Sequence, residues 1–209
     1  MENSIVGPSL PLRRGIISNL RAKIQGLANS SNGAAAVEFA FVVPIMLTLY
    51  FGAMELSQGI EVNKKAGRAS SLVGDLVSQQ AVITKGEIIA IADIAAATIQ
   101  PYNRSKAKVE VVGIQISDEA SPKARVVWSQ RVTKGVGTSF LTVGNLITIP
   151  SELMIRNTFV VRGGLSVEYM PVTAYTIQTS ISNGKKGIMM GEEYYLRPRT
   201  SPTIVCTGC

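Results

Sequence analysis

From Ala34 to Met54 the chain runs for 21 residues with one charge, Glu38. As a helix rising about 1.5 Å per residue, such a run spans roughly 31 Å, the thickness of a bilayer hydrocarbon core. A lone segment at that depth must satisfy its own backbone hydrogen bonds, so helix is the only local structure open to it. Arg13, Arg14, Arg21 and Lys23 precede the run against a single acid, Glu2. That bias keeps the N-terminus in the cytoplasm and sends the larger part of the chain out. Lys64, Lys65 and Arg68 flank the other end, but they follow Glu55 and Glu61, and long domains translocate with little regard for charge. A cleaved secretory signal fits poorly, because the basic region exceeds thirty residues and no A-x-A site with a polar sequel follows. The leader stretch "RRGIISNLRAKIQGL" is weakly amphipathic, and a flexible basic tail and a short interfacial helix both suit it.

Composition narrows the function classes. Apolar residues make up 46% and charged ones 17%, with mean hydropathy +0.24, values that place some apolar surface against lipid. The net charge of +7 is dispersed, with no run of four basic residues and no interleaved aromatics, so nucleic acid is not an expected partner. Histidine is absent, which removes the usual general base and the commonest metal ligand. The only cysteines, Cys206 and Cys209, supply two of the roughly four ligands a structural zinc needs. No phosphate loop, nucleophile elbow or carboxylate cluster is present, so the expectation is a protein without cofactor, metal or catalytic residues.

Beyond the apolar run, Val62, Ala66, Ala69, Val73 and Leu76 recur at spacings of four and three, predicting that the helix continues to about Gln79 with one buried seam. Thr84 and Glu87 form a capping-box pattern opening a second helix with Ile88, Ile91, Ala92 and Ala95 inward, stopping at Gln100 before Pro101. "KVEVVGIQIS" and "ARVVWSQRV" read as a β-hairpin, with a slip in alternation at Val111 to Gly113 that marks a bulge. "TFVVRGGLSVEYM" offers a third strand interrupted at Gly163 and Gly164, and "EEYYLRP" and "PTIVC" offer more. The link from Thr133 to Asn157 reads as irregular. The expected fold class is α+β: a single N-terminal transmembrane helix extended into an exported domain, with a second helix packed on a small antiparallel sheet. The divisions expected are a basic cytoplasmic leader at 1–33, the transmembrane helix at 34–54, its continuation at 55–80, and an exported α+β domain at 81–209.

The stretch "GAAAVEFAFVVP" resembles the processing site and N-terminal helix of type IV pilin-like proteins, in which a prepilin peptidase cuts after a glycine and the fifth residue of the mature chain is glutamate. More narrowly, "GAAAVEFAFVVPIML" is similar to the TadE family of pseudopilins and the related TadE/TadG-like proteins, which act in building Flp (tight adherence) pili. "VVWSQ" at Val126 to Gln130, "VEYMPV" at Val167 to Val172 and "YYLRPRTSPTI" at Tyr194 to Ile204 resemble later blocks of such proteins. The resemblance implies cleavage after Gly33, a new N-terminus at Ala34, and Glu38 at the fifth position. It also implies a minor pilin or pseudopilin of the bacterial inner membrane, its C-terminal domain periplasmic. The partners implied are prepilin peptidase, pilin and pseudopilin subunits, the inner-membrane assembly platform and membrane lipid.

A carboxylate inside a membrane segment costs about 2.5 to 3.5 kcal/mol at helix centre, less near an end. Glu38 therefore has two readings: an acid reaching the headgroups from the first turns, or a docking group for the α-amine of a neighbouring Ala34. Pro44 frees the Ala40 carbonyl and is expected to kink the helix, either as a tolerated irregularity or as a point of local melting. Cys206 and Cys209 read as a small-loop disulfide or as inert thiols. "RPR" at Arg197 to Arg199 reads as an exposed turn, or as a contact with an acidic partner; Trp128 and Tyr169 read as core. The alternative function is a membrane-anchored exported binding module, with recognition in the Thr133 to Asn157 link.

Overall fold

The computed structural model describes residues 31–102, 107–171 and 187–209. The basic segment at 1–30 lies outside the described residues, as does Val172 of the "VEYMPV" block.

A single helix, α1, covers Ser31–Ser78, and the chain divides into two compact units between Ala53 and Met54. In the first unit the apolar side chains lie open, Phe39, Phe41, Ile45, Met46 and Leu49 among them. From Met54 onward α1 buries one face. Val62, Ala66, Ala69, Val73 and Val77 are each no more than 1% exposed, while Leu76, the expected last member of the seam, is half-buried. Helical geometry explains the exchange: Val77 lies about 40° around the helix from Val73, and Leu76 about 60°.

Strand β1 (Val82–Thr84) leads into α2 (Lys85–Thr98). The capping box is formed as the spacing predicts. The Glu87 N–H donates to Thr84 Oγ1 at 3.2 Å, and the Thr84 N–H donates to Glu87 Oε2 at 2.7 Å. Ile88, Ala92 and Ala95 are buried, with Ile91 packed at the margin. The helix ends at Thr98 rather than Gln100, because the Ile99 N–H turns to the Ala96 carbonyl in a tighter closing turn.

The remaining strands are β2 (Lys108–Ile116), β3 (Ala124–Thr133), β4 (Val136–Thr138), β5 (Phe159–Tyr169), β6 (Ile188–Leu196) and β7 (Val205–Thr207). Five of them form an antiparallel sheet in the order β4-β3-β2-β5-β6, and β7 pairs separately, parallel to β1. The predicted bulge falls at Gly113/Ile114, and the extra residue is Val127 on β3: Gly113 pairs with Trp128 and Ile114 with Val126. A side chain at Gly113 would collide with the Trp128 indole, 2.5 Å from the Cβ position.

The sheet has a core on each face. One face packs Val109, Val111, Trp128, Val161, Leu165 and Val167 against both helices. The other gathers Val112, Ile114, Ile116, Val126 and Val160 beneath Phe140, Leu141, Ile147, Ile149, Leu153 and Met154. The Thr133 to Asn157 link is thus a packing layer. It holds a tight turn at Lys134 and Gly135, both at positive φ, then β4 and a short 3₁₀ turn at Ser151–Leu153.

Gly163 and Gly164 do not interrupt β5. They admit α1: a Cβ on Gly163 would lie 2.8 Å from the backbone nitrogen and Cα of Gly74. One turn earlier, the buried Ser70 hydroxyl donates to the Ala66 carbonyl at 2.9 Å and accepts from the Leu165 N–H, also at 2.9 Å. Gly67 and Gly74 leave room for Glu192 and Leu196 of β6, so this edge strand follows the helix.

Because backbone, unlike a side-chain tip, cannot rotate away, Gly163→Val is expected to lower stability by about 1–3 kcal/mol through overpacking. Thermal unfolding of the detergent-solubilised protein would show this as a lower Tm. Gly86→Ala, at a helical position with open space around it, is expected to leave Tm unchanged or higher.

Candidate functional site

The residues singled out in the sequence fall into two groups. Gly33, Ala34, Glu38 and Pro44 all lie on α1 in the first unit. The expected division ended the leader at Gly33, ahead of the helix, whereas α1 already begins at Ser31, so Gly33 sits in its first turn. Glycine is a weak helix former, and this turn is the easiest part of α1 to unwind. Ala34 and Glu38 are four residues apart and share a face. The Glu38 side chain is exposed, and among the described residues nothing donates to it. Helix runs through Pro44 without a break, and the Thr48 hydroxyl donates to the Pro44 carbonyl at 2.7 Å. The helix from Gly33 to Ser78 is long and apolar enough to cross a membrane. A glutamate so placed can reach the headgroups from the first turns of the helix or meet a cation supplied from outside it.

Cys206 and Cys209 belong to the second unit, beside the far end of α1. Their sulfurs are together, with Cα atoms 5.8 Å apart, a span a disulfide accommodates. "RPR" is more than an exposed turn, because Arg199 terminates α1. Its N–H donates to the Ser78 carbonyl at 2.9 Å, and its guanidinium lies 2.5 Å from Asp75. The Thr200 hydroxyl donates to the Gln79 carbonyl at 3.2 Å. Carbonyls that a helix end leaves orphaned thus find donors, and the cation sits at the negative pole of the helix. The acidic partner that the sequence reading allowed for is Asp75 of the same chain.

A second constellation lies just past the apolar run and escaped the sequence reading. The Tyr169 hydroxyl donates to Glu55 Oε1 at 2.6 Å. Burial first, then this carboxylate, holds the Tyr169 phenol above its ordinary range. Glu61 accepts from the Tyr102 hydroxyl at 2.8 Å and pairs with Lys65 at 3.2 Å. Lys65 also donates to the Gln100 carbonyl at 3.1 Å and lies over the Tyr102 ring. These contacts make a polar collar that ties α1 to β5 and to the end of α2. Its only sequence signal is a pair of acids one to seven residues past an apolar helix, which does not reveal distant tyrosines. Trp128 and Tyr169 are both buried, and the Trp128 indole N–H donates to the Ile204 carbonyl at 2.8 Å.

Among the described residues no group of three or more His, Cys, Asp or Glu is gathered to hold a metal ion. Among the described residues, one open cleft between β2, β5 and β6 is bordered by Lys108, Glu110, Glu192 and Glu193, where Lys108 pairs with Glu110 at 3.1 Å.

The geometry defines a class: an α+β protein with one helix long and apolar enough to cross a membrane, near its N-terminus. That single apolar helix suggests membrane anchoring. The family model described as TadE-like protein matches residues 33–71, so the chain carries a TadE-like domain there, consistent with a TadE-like pseudopilin. The domain supports involvement in Tad pilus-related function in general. The matched residues include Gly33, Ala34, Glu38 and Pro44; the "VVWSQ", "VEYMPV" and "YYLRPRTSPTI" blocks lie beyond them. No curated protein and no solved structure matches the chain.

Tyr169→Phe keeps the ring but removes the donor to Glu55. It is expected to cost about 1–2 kcal/mol, read as a fall in Tm. Tyr102→Phe, whose partner Glu61 is open to water, should lower Tm less.

Proposed function

We propose that this protein is a minor pilin or pseudopilin acting in the assembly of Flp (tight adherence) type IV-like pili, and that it has no catalytic role. The observation that carries the reading is the TadE-like match, which opens on Gly33 and takes in Glu38 five residues later. A prepilin peptidase at the cytoplasmic face of the inner membrane would cut after Gly33, once the first turn of α1 unwinds into its grip. The new α-amine on Ala34 is a cation near the depth of Glu38, which has no partner among the described residues. Supplied by a neighbouring pilin or pseudopilin subunit, it pairs with that carboxylate in low dielectric. Such a pair adds little net stability compared with an apolar contact, but a subunit docked at the wrong height leaves a buried charge unpaired, at several kcal/mol. Glu38 is therefore a register gauge. The open apolar side chains around it, in lipid before assembly, pack against other helices afterwards. The second unit lies in the periplasm, where Cys206 and Cys209 are free to pair, and the inner-membrane platform presents the subunit for assembly.

Mass spectrometry of the native N-terminus is expected to find Ala34; an intact Met1 in membranes would overturn the processing. Glu38→Ala should leave membrane insertion intact and reduce pili on the cell. Normal piliation in that variant would remove the docking role, and normal pili in a deletion strain would favour an anchored module outside the pilus.

A further inference from the structure

Membrane anchoring by α1, the reading on which this inference rests, also places part of the second unit at the bilayer surface through chain connectivity alone. Met54 ends the apolar run, and Glu55 follows it directly. Along a helix, Glu55 and Gly59 stand about 1.5 and 7.5 Å beyond Met54. The headgroup layer of each leaflet is about 5–7.5 Å thick, so this turn of α1 crosses it, with Gly59 at its outer edge.

Two side chains hold the sheet to that same turn. The Tyr169 hydroxyl is 2.6 Å from Glu55, and the Cβ position of Gly59 is 3.6 Å from the Met190 methyl and 3.8 Å from the Tyr169 ring. In the β5–β6 register, Tyr169 faces Ile188 and Glu168 faces Met189. Ile188 and Met189 are 56% and 60% exposed, and Leu56 and Ile60 on the same stretch of α1 are 67% and 47% exposed. An exposed apolar residue is ordinary when isolated. Four within about two helical turns of the end of the apolar run, next to a tyrosine whose polar tip is already satisfied, form an apolar rim where the bilayer begins.

We infer that the ends of β5 and β6 at Tyr169, Ile188 and Met189, together with Leu56 and Ile60, make a second contact with the membrane and dip into its headgroup layer. The occupant is lipid because Leu56 and Ile60 follow the apolar run directly along α1. The charges near the rim are mixed: the acids Glu55, Glu61 and Glu168 are set against Lys64, Lys65 and, in the sequence, Lys185 and Lys186 just ahead of Ile188. Burial of apolar surface drives the contact, so a zwitterionic bilayer suffices and salt has little effect. The contact gives the exported unit a fixed tilt before assembly. Leaving the bilayer exposes the rim, which then becomes available to a neighbouring subunit.

The test is spin-label accessibility on the full chain in phosphatidylcholine nanodiscs, with labels at Met189→Cys, Leu47→Cys and Val143→Cys. The unsubstituted chain serves as blank for Cys206 and Cys209. Leu47 lies within the apolar run, and Val143 shares a cleft with Val205 and Cys206, beyond the far end of α1. The expected result is an oxygen-to-nickel-chelate collision ratio at position 189 between those at 47 and 143, and unchanged by salt. A label at Ile188→Cys repeats the test should the first variant fold poorly. Position 189 matching 143 while 47 reads as lipid would overturn the rim and leave the anchor standing. Position 47 reading as aqueous would overturn both.

Discussion

The approach of α1 to β5 at Gly74 and Gly163 sets the rest of the structure. Two backbones meet where a single methyl would separate them by 2.8 Å contacts, and the adjacent Ser70 hydroxyl links the Ala66 carbonyl to the Leu165 N–H. Packing this close removes space for large side chains, so the buried face of α1 is built from alanine, valine, serine and glycine. It also lets Met190, Glu192 and Leu196 lie along the helix. The helix-side core of the sheet then has α1 as one wall, and the strap from Arg199 to Val205 closes over the helix end.

One helix therefore meets two solvents. Its first residues present apolar side chains in every direction, the pattern of a segment surrounded by lipid or by other helices, whereas from Val62 to Val77 only one stripe is apolar and buried. Composition averages the two and so reads as unusually hydropathic. Between them stands the collar of Glu55, Glu61, Lys65, Tyr102 and Tyr169, where carboxylates meet phenols and an ammonium. Glu38 is different in kind, because it has no such partner among the described residues.

Much of this was legible in the sequence because it is local. The capping box of Thr84 and Glu87, the β2–β3 hairpin and its bulge, and the seam of α1 follow from spacing along one element. The features that were missed depend on contacts between distant segments. Gly163 and Gly164 look like a strand interruption until Gly74 is placed against them. Arg199 looks like a turn residue until the carbonyl of Ser78 arrives beneath it. The Thr133 to Asn157 link has too little periodicity to show that Phe140, Ile147 and Leu153 cover a sheet face. Glu38 was found for the opposite reason: a charge in an apolar run is conspicuous without any tertiary information.

If α1 is a wall of the domain, the second unit cannot fold without it. Fragments 54–209 and 81–209 differ by the buried half of α1 and little else. Denaturant unfolding followed by Trp128 fluorescence is predicted to be cooperative for 54–209, and 81–209 is predicted to show no cooperative transition. A cooperative transition of equal midpoint in 81–209 would contradict the account, since the sheet and α2 would then form a complete domain to which the helix is only attached.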